Sequence, residues 1–253
     1  MRINKDFRVQ NILVGREASG KTFWAERLGN IYAQKGGGVL VYNRGMPSDF
    51  SDYEEITFPT FSEVERALPT KKARQFKRFP FVPWFEYRGQ RIPMHLFYRF
   101  SRGRKLYSLR IPDRRSESAF FRAMHFYSAN TLFIFDDTRP VFRYGLDENH
   151  VQFFNAKRHS GKKLTEAARG VDVLMLFHGL DKVSPELYDY TSHITMFAVN
   201  RMPEPNHIDN SDLYELVRKA KAEIDKAPKY HYAQINLRGK DPYTYKVFKP
   251  VKP

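Results

Sequence analysis

The run Val9-Gln10-Asn11-Ile12-Leu13-Val14, followed without a break by Gly15-Arg16-Glu17-Ala18-Ser19-Gly20-Lys21-Thr22, decides how the rest of the chain is read. The first run is short and apolar enough for a buried strand. Phe23 to Gln34 then has helical spacing, and Gly36-Gly37-Gly38 stops it. Between strand and helix, Gly15 and Gly20 let the backbone curl around phosphate oxygens. The ammonium of Lys21 can reach β and γ phosphates, and the Thr22 hydroxyl can coordinate Mg²⁺ at the start of a helix whose exposed amides favour anions. Arg16, Glu17, Ala18 and Ser19 complete the cradle. The alternative is a chance Gly-rich turn before a helix. Val39 to Asn43 supplies the next strand, so the chain opens as a βαβ unit.

Further along, Ile56 to Phe58 reads as a short strand and Ser62 to Leu68 as a short helix. Beyond Pro69 the character changes. Between Lys71 and Arg115, fourteen Lys and Arg residues face only Glu86 and Asp113, so this stretch is locally very positive. It also reads as strands, at Phe81 to Tyr87, Ile92 to Phe100 and Leu106 to Ile111, with turns at Arg88-Gly89-Gln90 and around Gly103. We expect an antiparallel, basic insertion at about 70–115 rather than part of a parallel core.

The α/β rhythm resumes with a helix at Glu117 to Tyr127, a strand at Thr131 to Phe135 and a helix at Glu148 to Lys157. Val171 to Phe177 and Ile194 to Val199 are further buried strands, with a short helical stretch near Pro185 to Tyr190 between them. Ser211 to Lys226 is an amphipathic helix, and Tyr230 to Leu237 with Tyr243 to Phe248 forms a terminal hairpin. The predicted fold is α/β, a P-loop NTPase with a mainly parallel central sheet flanked by helices, plus the insertion and the C-terminal hairpin. At 253 residues the chain fits one such domain, spanning 1–253.

Other residues can complete a nucleotide site. The strand Leu132-Phe133-Ile134-Phe135 ends in Asp136-Asp137. An apolar strand followed by a carboxylate suits a Mg²⁺-holding acid, assigned to Asp136, and leaves Asp137 to polarise the attacking water. A strand that merely ends at a capping Asp is the plainer alternative. Arg158, in Lys157-Arg158-His159-Ser160-Gly161, can contact phosphate or serve across a subunit boundary, or can be an ordinary basic helix end. His178 closes the strand before it and can meet the γ phosphate or a water, or can be a structural histidine. Arg201, just beyond another expected strand, is a further candidate for a charge-neutralising finger.

Composition narrows the partners. A formal charge of +15 favours a polyanion or an anionic membrane surface. The absence of cysteine excludes disulfides, cysteine nucleophiles and thiolate metal sites. Met1 to Gln10 is polar, unlike the core of a signal peptide, and every apolar run is shorter than a membrane span, so no membrane-spanning segment is expected. In the basic stretch, Trp84, Phe85, Tyr98, Phe100 and Tyr107 are interleaved with cations that can grip phosphates while the rings pack against bases or sugars. Alternatively, those rings face the core of a solvated hairpin.

From Val9 to about Arg201 the order of motifs resembles the HerA/FtsK-type P-loop motor ATPases, especially small viral DNA-packaging ATPases and Zot-like phage assembly proteins. GREASGKT looks like their Walker A, LFIFDD like their Walker B, and KRHSG like the Arg-His-Ser/Thr-Gly segment of Zot-like members; HGLDKVSPEL looks like the loop after their sensor strand. Two residues depart from that pattern: Asp137 stands where a Glu is usual, and His178 where the sensor is often Gln or Asn. The resemblance implies an ATPase using ATP and Mg²⁺, and a homo-oligomeric ring, a hexamer, in which an arginine from one subunit completes its neighbour's site. It also implies translocation of double-stranded or single-stranded DNA during genome packaging, contact with capsid or portal proteins, and a place in the host-cell cytoplasm or with the virion. Alternative functions are a Zot-like morphogenesis ATPase, a small-molecule kinase, or a nucleic-acid-binding structural protein switched by nucleotide.

Overall fold

The computed structural model describes residues 10–43, 50, 52–78, 81–108, 114–136, 145–161, 164, 170–238 and 241–249. Its main sheet contains β1 (Gln10–Val14), β2 (Gly38–Asn43), β3 (Glu54–Glu55), β6 (Lys105–Ser108), β7 (Thr131–Asp136), β8 (Val171–Phe177), β9 (His193–Met196), β10 (Tyr232–Asn236) and β11 (Thr244–Phe248). The strand order is β11-β10-β9-β1-β8-β7-β2-β6-β3. β4 (Trp84–Tyr87) and β5 (Gln90–Pro93) form a separate antiparallel pair. The helices are α1 (Lys21–Gln34), α2 (Phe61–Ala67), α3 (Thr70–Arg78), α4 (Phe97–Ser101), α5 (Arg114–Tyr127), α6 (Glu148–Ala156) and α7 (Ser211–Lys226).

β1 runs parallel to both β8 and β9, and β6 runs parallel to both β2 and β3. β10 runs antiparallel to both β9 and β11, giving the expected terminal hairpin. Every residue of β1 and β8 is buried. That is why their sequences read as continuous runs rather than alternating ones: a parallel strand is covered on both faces. Among the described residues, no helix is long and apolar enough to cross a membrane.

The chain packs as two compact units. One holds β2 to β6, α2 to α6, the last residues of α1 and the first four residues of β7. Its interior is rich in phenylalanine: Phe121 meets Phe120, Phe153 and Phe154 at ring separations of 5.5, 5.2 and 5.9 Å. The other holds β1, the start of α1, the end of β7, β8 from Val173 onward, β9 to β11 and α7. There α7 turns Leu213, Val217, Ala220 and Ile224 inward, the spacing of one helix face.

The basic stretch departs from the expected three-stranded insertion. Its antiparallel part is the β4–β5 hairpin alone, joined through Arg88 and Gly89 at φ of 50° and 76°, the paired left-handed conformation of a tight hairpin turn. The second expected strand ends at Pro93, and Phe97 to Ser101 is helical, with Phe97 and Ser101 both buried. Residues four apart share a helix face, so Phe97 can enter the core without extended backbone. The third expected strand belongs to the parallel sheet instead: β6 lies between β2 and β3, with fully buried Leu106 opposite Leu40. Thr70–Arg78 forms a helix that the sequence reading did not assign. Phe76 anchors it against Phe61 at a ring separation of 4.6 Å.

Candidate nucleotide-binding site

The loop Gly15 to Gly20 springs from the end of β1, where that strand is held on both sides. Val14 lies opposite Phe177 of β8 and Met196 of β9. The backbone continues this pattern past the strand: the Gly15 amide donates to the Phe177 carbonyl at 3.1 Å, Arg16 to Ala198 at 2.8 Å, and Phe197 to Val14 at 2.8 Å. A side chain on Gly15 has no room, since its Cβ would lie 2.6 Å from Ser19 Oγ and 2.8 Å from Phe197 Cβ. Ala18 and Gly20, at φ of 53° and 96°, give the loop its curl. The Trp24 amide then closes the first helical turn on the Gly20 carbonyl at 3.0 Å.

Lys21, the first residue of α1, folds back into this curl. Its Nζ donates to the carbonyl oxygens of Gly15 at 2.6 Å and Arg16 at 2.9 Å. The side chain is 7% exposed. Burial lowers its pKa below that of an ordinary lysine, while the nearby charges of Asp136 and Glu17 pull in the opposite direction without cancelling the effect. A desolvated cation wrapped by a loop of left-handed backbone is well suited to anions. Ser19 Oγ is buried and has no hydrogen-bond partner among the described residues, leaving another donor in the loop. Arg16, Glu17 and Ala18 are exposed.

Thr22 follows Lys21 in the same helical turn, and Asp136 is the last residue of β7; both are half-buried. One hydroxyl and one carboxylate fit Mg²⁺, which usually takes few protein ligands and completes its shell with phosphate and water oxygens. Among the described residues, no three His, Asp or Glu side chains form a metal-binding cluster.

The remaining expected residues are placed unequally. His178 is exposed and directly follows Phe177, whose carbonyl accepts from the Gly15 amide, so its backbone adjoins the start of the loop. Arg201 is 76% exposed at its side chain and lies 3.5 Å from Asp181 of the same chain. Asp181 also pairs with Lys182 at 2.5 Å; burial opposes its ionisation, but the Lys182 hydrogen bond and the charges of Lys182 and Arg201 hold its carboxyl below the usual range. Arg158 is in the 3-10 turn Lys157–His159, and its side chain lies outside the described residues, as does Asp137.

In the same segment, Gly161 has a structural reason to be glycine. Its φ is 71°, and a Cβ would come within 2.5 Å of Ala129 Cβ and 2.6 Å of the Ser128 carbonyl. The interleaved aromatics are knitted into their own unit: Phe85 is fully buried, Arg91 covers Trp84 at 4.8 Å, and Arg104 covers Phe100 at 4.5 Å. Sequence reasoning missed Phe197, which closes the loop at Gly15. Nothing in its local sequence marks it.

No family model matches the chain, and no curated protein does. Solved structures do. The chain is similar to the genome packaging NTPase B204 from Sulfolobus turreted icosahedral virus 2 in complex with sulfate, with a TM-score of 0.61, 15% identity, and 99% of each chain covered. The same NTPase in complex with ATP-gammaS gives 0.60 at 15% identity over 99% of this chain and 100% of that one. B204 described as the DNA-packaging ATPase from Sulfolobus Turreted Icosahedral Virus gives 0.54 at 13% identity, over 96% and 98%. At such identities it is the fold that is shared. The chain has the P-loop NTPase fold, with a mainly parallel central sheet flanked by helices, as its resemblance to the HerA/FtsK-type ATPases led us to expect.

Proposed function

We infer that this chain is a Mg²⁺-dependent ATPase that moves viral DNA, packaging a genome into a capsid. The observation that carries the reading is the Lys21 ammonium, buried within the loop and held by the carbonyls of Gly15 and Arg16. A buried charge is costly unless it has a counter-group. A nucleotide's β and γ phosphates are better counter-groups than two carbonyls, so ATP binding draws this ammonium onto the phosphates. The fold shared along nearly the whole chain with genome-packaging NTPases supports the choice of DNA as the load.

In hydrolysis, a water attacks the γ phosphorus while the bond to the β–γ bridging oxygen breaks, leaving ADP and phosphate. Lys21 stabilises the charge that gathers on the γ-phosphate oxygens. Thr22 and Asp136 hold Mg²⁺, which when bound neutralises the phosphate oxygens. Asp137 accepts a hydrogen bond from the attacking water, or His178 orders that water. Arg158 or Arg201, from an adjacent subunit of a homo-oligomeric ring, completes the site. For Arg201 this means leaving Asp181, an exchange of one anion for another.

The charge of +15 and the exposed cations Lys71, Lys72 and Arg74 on α3 suit sequence-tolerant binding to a DNA backbone. The work so described belongs in the host-cell cytoplasm and at the virion, against capsid or portal proteins. The test is ATP hydrolysis by the wild type and K21A, with and without DNA. DNA-stimulated turnover in the wild type alone supports the reading; equal turnover in the two proteins overturns it.

A further inference from the structure

Tyr230 lies in the turn joining α7 to β10, and it is 47% exposed. The His231 amide closes that turn on the Pro228 carbonyl at 3.3 Å, and His231 Nδ1 lies 2.9 Å from the same oxygen. Tyr230 itself adopts a φ of 70°, a left-handed conformation that a turn ordinarily gives to Gly or Asn. A tyrosine here carries strain that glycine would avoid, and leaves half of a large ring in water. Strain at an exposed aromatic invites a functional explanation.

The surroundings supply one. The point that a Cβ on Gly20 would occupy is 3.5 Å from Tyr230 Cδ1 and 3.9 Å from Phe197 Cε1. The ring therefore lies against the backbone of the phosphate loop. The strand that follows the turn is fixed in place: Tyr232 packs against Phe197 at 5.4 Å and edge-on to Trp24 of α1 at 6.4 Å, and stacks on Phe248 with ring planes 17° apart. Lys229 sets its ammonium 4.8 Å from the centre of the Tyr230 ring.

A nucleotide seated with its phosphates on the loop amides must direct its base away from them, where the base's flat faces need cover from water. The exposed loop residues Arg16, Glu17 and Ala18 offer no ring. We propose that Tyr230 is the platform on which the nucleobase of the bound nucleotide stacks. The proposal rests on the nucleotide-binding reading above and adds base recognition to it. Stacking engages the face of a base rather than its hydrogen-bonding edge, so the subsite takes purines with little discrimination.

Equilibrium binding of ATP, GTP and inorganic tripolyphosphate to wild type, Y230A, Y230F and K21A tests this. Y230A loses about tenfold in affinity for ATP and GTP, as loss of one base–aromatic stack requires, and binds tripolyphosphate like the wild type. Y230F keeps wild-type affinity for all three. Retained tripolyphosphate binding also shows that the Y230A loop is folded; a loss of all three ligands together overturns the proposal, since it makes Tyr230 a structural support. Wild-type ATP affinity in Y230A overturns it too, while loss of binding in K21A leaves the phosphate loop standing. If wild type binds neither ATP nor tripolyphosphate, the phosphate-loop reading itself fails.

Discussion

Lys21 Nζ donates to the carbonyl oxygen of Gly15 at 2.6 Å, so the loop's cation is held by the residue that opens the loop. The charge is buried and positioned before any phosphate arrives. Removing it in K21A should lower ATP turnover about a hundredfold or more, on the order of 3 kcal/mol of transition-state stabilisation. K21R should fail to rescue, because a planar guanidinium does not fit a space shaped around a 7%-exposed ammonium. Phosphate release at saturating ATP measures both, and K21R turnover within threefold of the wild type would contradict this.

Gly161 tests a second close approach. Its left-handed φ of 71° and the 2.5 Å approach to Ala129 Cβ mean that G161A must move backbone. We expect a loss of about 2 kcal/mol or more in unfolding free energy. G36A is the control, since Gly36 also has a positive φ but nothing within 4 Å of a Cβ, and should cost about 1 kcal/mol. Equal urea midpoints for the two variants would remove the steric argument.

A buried histidine gives stability a pH dependence. His150 is 2% exposed, with Nδ1 2.7 Å from Asp147 and Nε2 3.0 Å from Glu117. Burial alone would lower its pKa, but hydrogen bonds to Asp147 and Glu117 and their charges raise it overall; Asp147, despite its own burial, is held well below the usual carboxylate range, chiefly by its bonds to His150. The His150 contribution is therefore complete below its unfolded value of 6.5 and is lost as pH rises through the raised folded value. That of Asp147 is present above 3.8 and is lost as pH falls below it. H150Q should be destabilised most between those two values, by about 3 kcal/mol, with a smaller deficit near pH 9. Thermal melts across that range decide it, and a deficit independent of pH would count against a charged His150.

The exposed face of α3 tests the DNA reading separately from the nucleotide site. Reversing Lys71, Lys72 and Arg74 to Glu should weaken DNA binding. It should also reduce the slope of log K against log salt by roughly 0.9 for each phosphate that the helix no longer neutralises. Hydrolysis without DNA should be unchanged. An unaltered salt slope would place the DNA-binding surface elsewhere.

The strand, loop and helix around Gly15 to Thr22 were legible in the sequence because their pattern is local. Gly15, Gly20, Lys21 and Thr22 must follow one another at fixed spacing, with a strand before them and a helix after. β6 was misread because alternation at Lys105 to Ser108 shows one buried face and says nothing about the direction of the neighbouring strand, which β2 and β3 settle from a distance. α3 was not assigned because, among its cations, Phe76 alone is buried, too little for a periodic signal. Phe197 and Tyr230 escaped for a related reason: each meets the loop through the fold, far from it in sequence.

The placement of β1 between β8 and β9 has a consequence for how the protein is made. Asn11 Nδ2 donates to Thr195 Oγ1 at 3.0 Å across 184 residues, and the strands that flank β1 begin only at Val171 and His193. At translation speeds of about 5–20 residues per second, the first strand waits roughly 10–40 s for its partners. Long-range pairing of this kind is slow in its own right. A nascent chain halted before Val171 would carry every residue from Gly15 to Thr22 and have neither strand to hold them, so we expect nucleotide binding to emerge only once β8 and β9 have been made.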